Sequence, residues 1–209
     1  MGKKIIIKVL LILALPNFLF AQKMDTTTSL SHLLIVQATI SPGFWFYKKG
    51  LWNSYFHCTL EWCFDKRVSV RADGSYFFSS QGYAQGDYQP IRTNNSLLLG
   101  AFYHCPKKKG DFYFGIQPGA ACVQQNTYKF NDSIIKNPQL KVVPLITATV
   151  GANYFFWKYM NMFAGIKYIH GTYIPPYGNT IPLDEIRISF GIGWHVQFKK
   201  DNVHAIGYK

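Results

Sequence analysis

Glu185-Ile-Arg-Ile-Ser-Phe-Gly-Ile-Gly-Trp-His-Val-Gln-Phe198 alternates without a break. Ile186, Ile188, Phe190, Ile192, Trp194, Val196 and Phe198 fall on one face. Glu185, Arg187, Ser189, Gly191, Gly193, His195 and Gln197 fall on the other. A strand has a side-chain period of two, so this stretch is a strand with one bulky apolar face and one polar or small face. Seven large apolar groups in register, ending in aromatics, suit a strand that faces lipid.

Seven further candidates precede it, at 32–41, 53–64, 67–78, 95–105, 111–121, 140–156 and 160–170. In the second, Phe56, Cys58, Leu60, Trp62 and Phe64 oppose Tyr55, His57, Thr59, Glu61 and Cys63. In the third, Val68, Val70, Ala72, Tyr76 and Phe78 oppose Arg67, Ser69, Arg71, Asp73 and Ser75. The sixth sets Val142, Ile146, Val150 and Tyr154 against Lys141, Thr147, Thr149 and Asn153. Alternation is weakest in the fourth, where Leu97, Leu98 and Leu99 run together. Charge lies opposite bulk, and lipid cannot solvate charge, so the charged face is expected inside. A water-soluble eight-stranded barrel would reverse the faces.

Connections alternate in length. Asp65-Lys66, residues 106–110 and Trp157-Lys158-Tyr159 are short, whereas 42–52, 79–94, 122–139 and 171–184 are long. This is the up-and-down pattern of an all-β, eight-stranded antiparallel transmembrane β-barrel with its long loops outside. Pro118 and Pro144 are expected near the outer ends of the fifth and sixth strands, where a missing ladder donor is tolerated.

The start of the chain reads as a secretory signal. Lys3, Lys4 and Lys8 precede or flank a short apolar run from Ile5 to Leu15, Pro16 interrupts it, and Phe20-Ala21-Gln22 suits cleavage. The expected division is a signal peptide at 1–21, a barrel at 22–198 and a short periplasmic tail at 199–209. The net charge of +12 falls to +9 once the three signal lysines are set aside. In an exported chain that excess fits anionic lipid head groups better than nucleic acid. Aromatics make up 17% and charged residues 15%, where soluble domains carry about 25% charge. Both shifts favour a membrane barrel.

Taken together, the chain resembles the small eight-stranded outer-membrane β-barrel proteins of Gram-negative bacteria. Arg67-Val-Ser-Val-Arg-Ala-Asp-Gly-Ser-Tyr-Phe-Phe78 and Gly115-Ile-Gln-Pro-Gly119 carry the likeness, together with Gly193, Val196 and Phe198 at the end of the last strand. The resemblance implies an outer-membrane location, and the chain is expected to be a monomer. It also implies that Gly193, Val196 and Phe198 form the signal read by the barrel-assembly machinery. Residues 199–209 continue past that signal, where such barrels usually end at the terminal aromatic. Fold and location follow from this likeness, and activity does not.

Within the barrel, Glu61, Arg67, Arg71 and Asp73 are expected to form one lumenal charge cluster, and Lys167, Glu185 and Arg187 another. An eight-stranded barrel has room only for its own side chains, so paired charges would plug it. The same residues could line a narrow small-solute channel. His170-Gly171-Thr172 with Glu185 resembles the outer-membrane lipid A deacylases, which place a His and a Ser two apart beside an acidic orienter. Thr172 replaces that Ser, and no Asn follows.

Phe44, Trp45, Phe46, Trp52, Trp157, Tyr159, Trp194 and Phe198 fit interfacial girdles. Tyr83, Tyr88, Tyr173 and Tyr177 could stack on an external carbohydrate. Cys58 and Cys63 fall on opposite faces of one strand, Cys122 is expected at a loop base, and the spacing is not that of a structural zinc site. No cofactor set is read from the sequence. The expected role is structural, or the presentation of long loops to an external ligand or surface.

Overall fold

In the computed structural model, residues 30–47, 50–82, 90–126, 128–130, 133–135, 139–175 and 179–198 are described. The expected signal segment 1–21, the tail 199–209, and Tyr83, Tyr88 and Tyr177 lie outside them. The elements are β1 (Leu33–Trp45), β2 (Leu51–Cys63), β3 (Val68–Gly82), β4 (Ile91–Lys107), β5 (Gly110–Gln125), β6 (Tyr128–Phe130), β7 (Ser133–Ile135), β8 (Leu140–Phe155), β9 (Met160–Tyr173), β10 (Ile181–Pro182) and β11 (Glu185–Gln197).

Eight long strands form the wall, in the order β1-β2-β3-β4-β5-β8-β9-β11. Every neighbour is antiparallel, and β11 returns to pair with β1, so the barrel is closed. Closure leaves no free sheet edge, which is the condition for strands to sit in lipid. β6 and β7 form a hairpin between β5 and β8, and β10 adds a two-residue pairing to β9. Among the described residues no helix is long and apolar enough to cross a membrane.

The strands run further at the loop end than the sequence pattern indicates. β1 and β2 continue to Trp45 and from Leu51, leaving a five-residue connection where a long loop was expected at 42–52. Gly50 closes it at φ 81°, a conformation that glycine adopts without steric cost. At the opposite end, the short connections follow β2, β4 and β8.

Burial alternates along the wall, most regularly in β9, where every second residue from Asn161 to Tyr173 is buried. Ile40, Leu60, Ile116, Val142, Val150 and Phe190 point outward and are largely exposed. Buried inside are Gln37, Thr59, Arg71, Gln117, Thr149 and Lys167. The faces are thus apolar outside and polar within, the reverse of a soluble barrel. The triple leucine resolves in the same way: Leu98 is 1% exposed and points inward, flanked by outward Leu97 and Leu99.

Pro118 lies mid-strand in β5, not near its outer end. Its pairing with Ile146 of β8 is intact, whereas the β4–β5 ladder is interrupted between Leu98↔Gly119 and Ala101↔Ile116. The missing donor therefore falls on the β4 side. Gly100 sits in that gap, where an added Cβ would meet Gln117 Cα at 2.6 Å, so close approach of the two backbones requires a glycine. Pro144 stands one residue outside the β8–β9 ladder, which starts at Leu145↔Gly171.

Candidate functional site

The lumen is stratified. At the short-turn end, Leu30, Leu33, Ile35, Cys63 and Phe155 pack together behind the turns. At the loop end, inward positions turn apolar again. Leu98, Ala121, Val123, Val143, Leu145 and Ile169 pack with Trp45, Tyr173, Ile181 and Leu183. Between these two apolar plugs lies a polar middle whose charges are almost all paired.

Three ion-pair groups fill that middle. Nearest the short turns, Glu61 accepts from Arg71 Nη2 at 2.7 Å and lies 3.0 Å from His104 Nε2. Arg71 is also sandwiched, its guanidinium 4.1 Å from the ring centres of both Phe102 and Tyr113. That stacking holds a cation where water is excluded. At mid-height, Lys167 on β9 pairs with Asp73 on β3. Thr59 Oγ1 donates to the same Asp73 at 2.6 Å. Nearest the loops, Arg187 Nε donates to Glu185 at 3.0 Å, and its guanidinium Cζ lies 3.5 Å from the Tyr55 ring centre. Tyr55 Oη and Asn53 Nδ2 donate to Glu185 at 2.9 and 3.0 Å.

Six of the seven residues expected to form lumenal clusters are therefore inside: Glu61, Arg71, Asp73, Lys167, Glu185 and Arg187. Arg67 is not. It is exposed in the turn before β3, where its Nη1 donates to Tyr103 Oη at 3.2 Å. The alternation placed it inward, but the turn extends through Arg67 and the pleat of β3 begins only at Val68. The pairing also differs. Lys167 bonds Asp73 across the lumen, not Glu185 beside it.

Sequence reasoning did not name His104 and Asp111, and it placed Tyr55 and His57 on the inward face without giving them a role. His104 and Asp111 lie on β4 and β5 next to a turn, where Lys107, Lys108 and Lys109 dominate the composition. Strand parity could have found them, because His104 shares its face with buried Phe102.

His170 and Thr172 both point outward on β9. His170 Nδ1 lies 2.6 Å from Asp184 Oδ1, on the surface. Glu185, the expected carboxylate partner, is 1% exposed and committed to Arg187 and Tyr55 inside the barrel. The expected His170–Glu185 pairing is thus replaced by His170–Asp184, because Glu185 and Asp184 lie on opposite sides of the wall.

Gly193 faces inward beneath Gln37, whereas Val196 and Phe198 point outward. Phe198 lies 5.5 Å from Trp62, forming part of an aromatic band at the short-turn end. At the loop end, Phe44 contacts Phe46 and Trp52 at 5.5 and 5.3 Å. Trp45 does not belong to that band. It is 3% exposed within the loop-end plug, and its Nε1 donates to the Pro182 carbonyl at 2.8 Å. All four cysteines are free; Cys122 lies on β5 and faces outward, not at a loop base.

Solved structures share this architecture. Neisserial surface protein A is 12% identical, with a TM-score of 0.58 over 80% of this chain and 98% of its own. The outer membrane protein OprG from Pseudomonas aeruginosa is 10% identical, with a TM-score of 0.57 over 80% and 97%. Ail, the attachment invasion locus protein of Yersinia pestis, is 9% identical, with a TM-score of 0.50 over 78% and 97%. The chain therefore has the closed eight-stranded antiparallel fold of small outer-membrane β-barrel proteins. No protein-family model matches it. A 137-residue stretch is 26% identical to NAD(P)H-quinone oxidoreductase subunit 5, chloroplastic, of Drimys granadensis; the chain spans only 17% of that protein's length. A likeness of that extent assigns neither family nor activity.

Proposed function

We propose that this chain is an integral outer-membrane protein of a Gram-negative bacterium, exported by a cleaved signal peptide and acting as a plugged barrel. Its short turns face the periplasm and its long connections face outward. The role is structural or interactive: the barrel stabilises the envelope and holds the loops for an external ligand or surface. Outer-membrane lipids surround the wall, and the barrel-assembly machinery inserts the chain as a monomer through Gly193, Val196 and Phe198. No catalytic role is assigned to His170, Thr172 or Glu185.

The observation that carries this reading is the inverted wall. Outward Ile116, Val150 and Ile166 are half or more exposed, while Glu61, Asp73 and Arg187 are 3% exposed or less. Water would not favour that arrangement on either face, whereas lipid favours it on both. The two apolar plugs at either end of the charged middle support a closed lumen over a conduit.

Fractionation of the native envelope, followed by unheated and boiled samples on SDS gels, tests the reading. An outer-membrane fraction with a heat-dependent mobility shift and a strand-rich circular dichroism spectrum is the expected result. A protein recovered in the soluble fraction without detergent would overturn it.

A further inference from the structure

Three metal-ligating side chains converge inside the short-turn end. Glu61 and Cys63 are alternate residues of β2 and share its inward face, and His104 reaches them from β4. One ligand atom from each, all buried, lies within 4.8 Å of the others. β3 runs between the two strands and supplies Ser69, whose Oγ is 2.5 Å from Glu61 Oε1 and 2.8 Å from His104 Nε2.

Two of the three ligands are also held from behind. His104 Nδ1 lies 2.7 Å from Asp111 Oδ2, which directs Nε2 toward Glu61. Carboxylates commonly orient metal-bound imidazoles in this way. Arg71 holds the second oxygen of Glu61 at 2.7 Å. Asp111 Oδ1 is buried and has no hydrogen-bond partner among the described residues.

We propose that Glu61, Cys63 and His104 form a binding site for a divalent transition metal, zinc by preference. A thiolate, an imidazole and a carboxylate make a borderline-soft set suited to tetrahedral zinc, with Ser69 or water as the fourth oxygen donor. Zinc bonds of about 2.0–2.3 Å put tetrahedral donors roughly 3.3–3.8 Å apart. The 3.0 Å Glu61–His104 distance and the 4.8 Å outer limit bracket that spacing.

The surroundings favour the same assignment. Glu61 and Asp111 both flank His104, and Arg71 lies against Glu61, so two carboxyl groups share one arginine and the pocket suits a further cation. Bound there, the metal ties β2 to β4 across β3 and fixes the base of the barrel. The cysteine spacing along the chain concealed this set, since two ligands are alternate residues and the third comes from two strands away.

The test uses the full chain folded in detergent, with Cys58, Cys105 and Cys122 replaced by Ser so that Cys63 is the one remaining thiol. Cobalt is supplied in one sample during folding and in another afterwards, because Leu30, Leu33 and Phe155 cover the site. Folding is verified by the heat-dependent mobility shift. The expected result is one cobalt per chain, with a thiolate-to-cobalt charge-transfer band that added zinc removes. Folded Cys63→Ser loses the band, and folded His104→Gln binds at least tenfold more weakly. A folded Cys63-only barrel with no band and no retained metal under either protocol overturns the proposal. So does an unchanged band in folded His104→Gln, which keeps the proposal testable even if Cys63→Ser does not fold.

Discussion

Lys167 Nζ on β9 reaches Asp73 Oδ2 on β3, the strand diametrically opposite in the eight-stranded wall. A single side-chain pair thus crosses the whole lumen. Both residues are buried, so neither charge is compensated by water if its partner is lost. Asp73→Asn or Lys167→Met alone should destabilise the barrel by roughly 3–5 kcal/mol, the cost of leaving a buried charge unpaired. The double variant should recover most of the loss. Urea unfolding midpoints in lipid vesicles, compared as a double-mutant cycle, give the coupling directly.

Arg67 and Arg71 lie four residues apart, yet one is exposed in a turn and the other is 3% exposed between two aromatic rings. Arg71→Ala should lower the unfolding midpoint sharply, because it leaves Glu61 Oε2 without its arginine partner and empties the aromatic sandwich. Arg67→Ala should leave the midpoint where it is. Equal effects would contradict the placement of the two side chains.

The closing seam has its own chemistry. Pairing of β1 with β11 is continuous from Leu33 to Gln37, lapses, and resumes at Gly43. Across the gap Thr39 Oγ1 donates to the Phe190 carbonyl and Ser41 Oγ to the Ile188 carbonyl, each at 2.7 Å. Pro42 has no N–H to contribute there. Thr39→Val and Ser41→Ala should each cost about 1 kcal/mol, the net worth of an ordinary hydrogen bond. Hydrogen exchange should accelerate at residues 188–192 more than in β5 or β8.

Lipid contact gives a depth-dependent expectation. Ile116 is outward and midway along β5, whereas outward Tyr159 lies in the short turn before β9. Ile116→Arg should cost about 2–4 kcal/mol and Tyr159→Arg about 0–1, if the wall spans a bilayer. Similar penalties at both positions, read from unfolding midpoints in vesicles, would argue against a membrane-spanning wall.

Much of this architecture was legible in the chain because a strand's period of two sorts residues into faces with little tertiary help. Residues 185–198 carried both the fold and its inversion, and parity alone placed Glu61, Asp73 and Arg187 inside. What parity could not supply was partnership. Lys167 has Arg187 directly opposite in register on β11, yet its charge is met by Asp73 across the lumen. Strand ends were the other gap. The pattern weakens where inward positions become apolar, as at Ile91 and Val123, so part of the loop-end plug looked like loop. Arg67 and Trp45 were misplaced for the same reason, each standing where a strand gives way to a turn.

The central claim is a barrel whose lumen its own side chains close, and planar-bilayer conductance of the folded wild-type protein tests it most directly. Insertion without any stable open current is the expected result, given ion pairs at mid-height and apolar plugs at both ends. Discrete, reproducible conductance steps from the wild-type protein would contradict it and make the lumen a conduit.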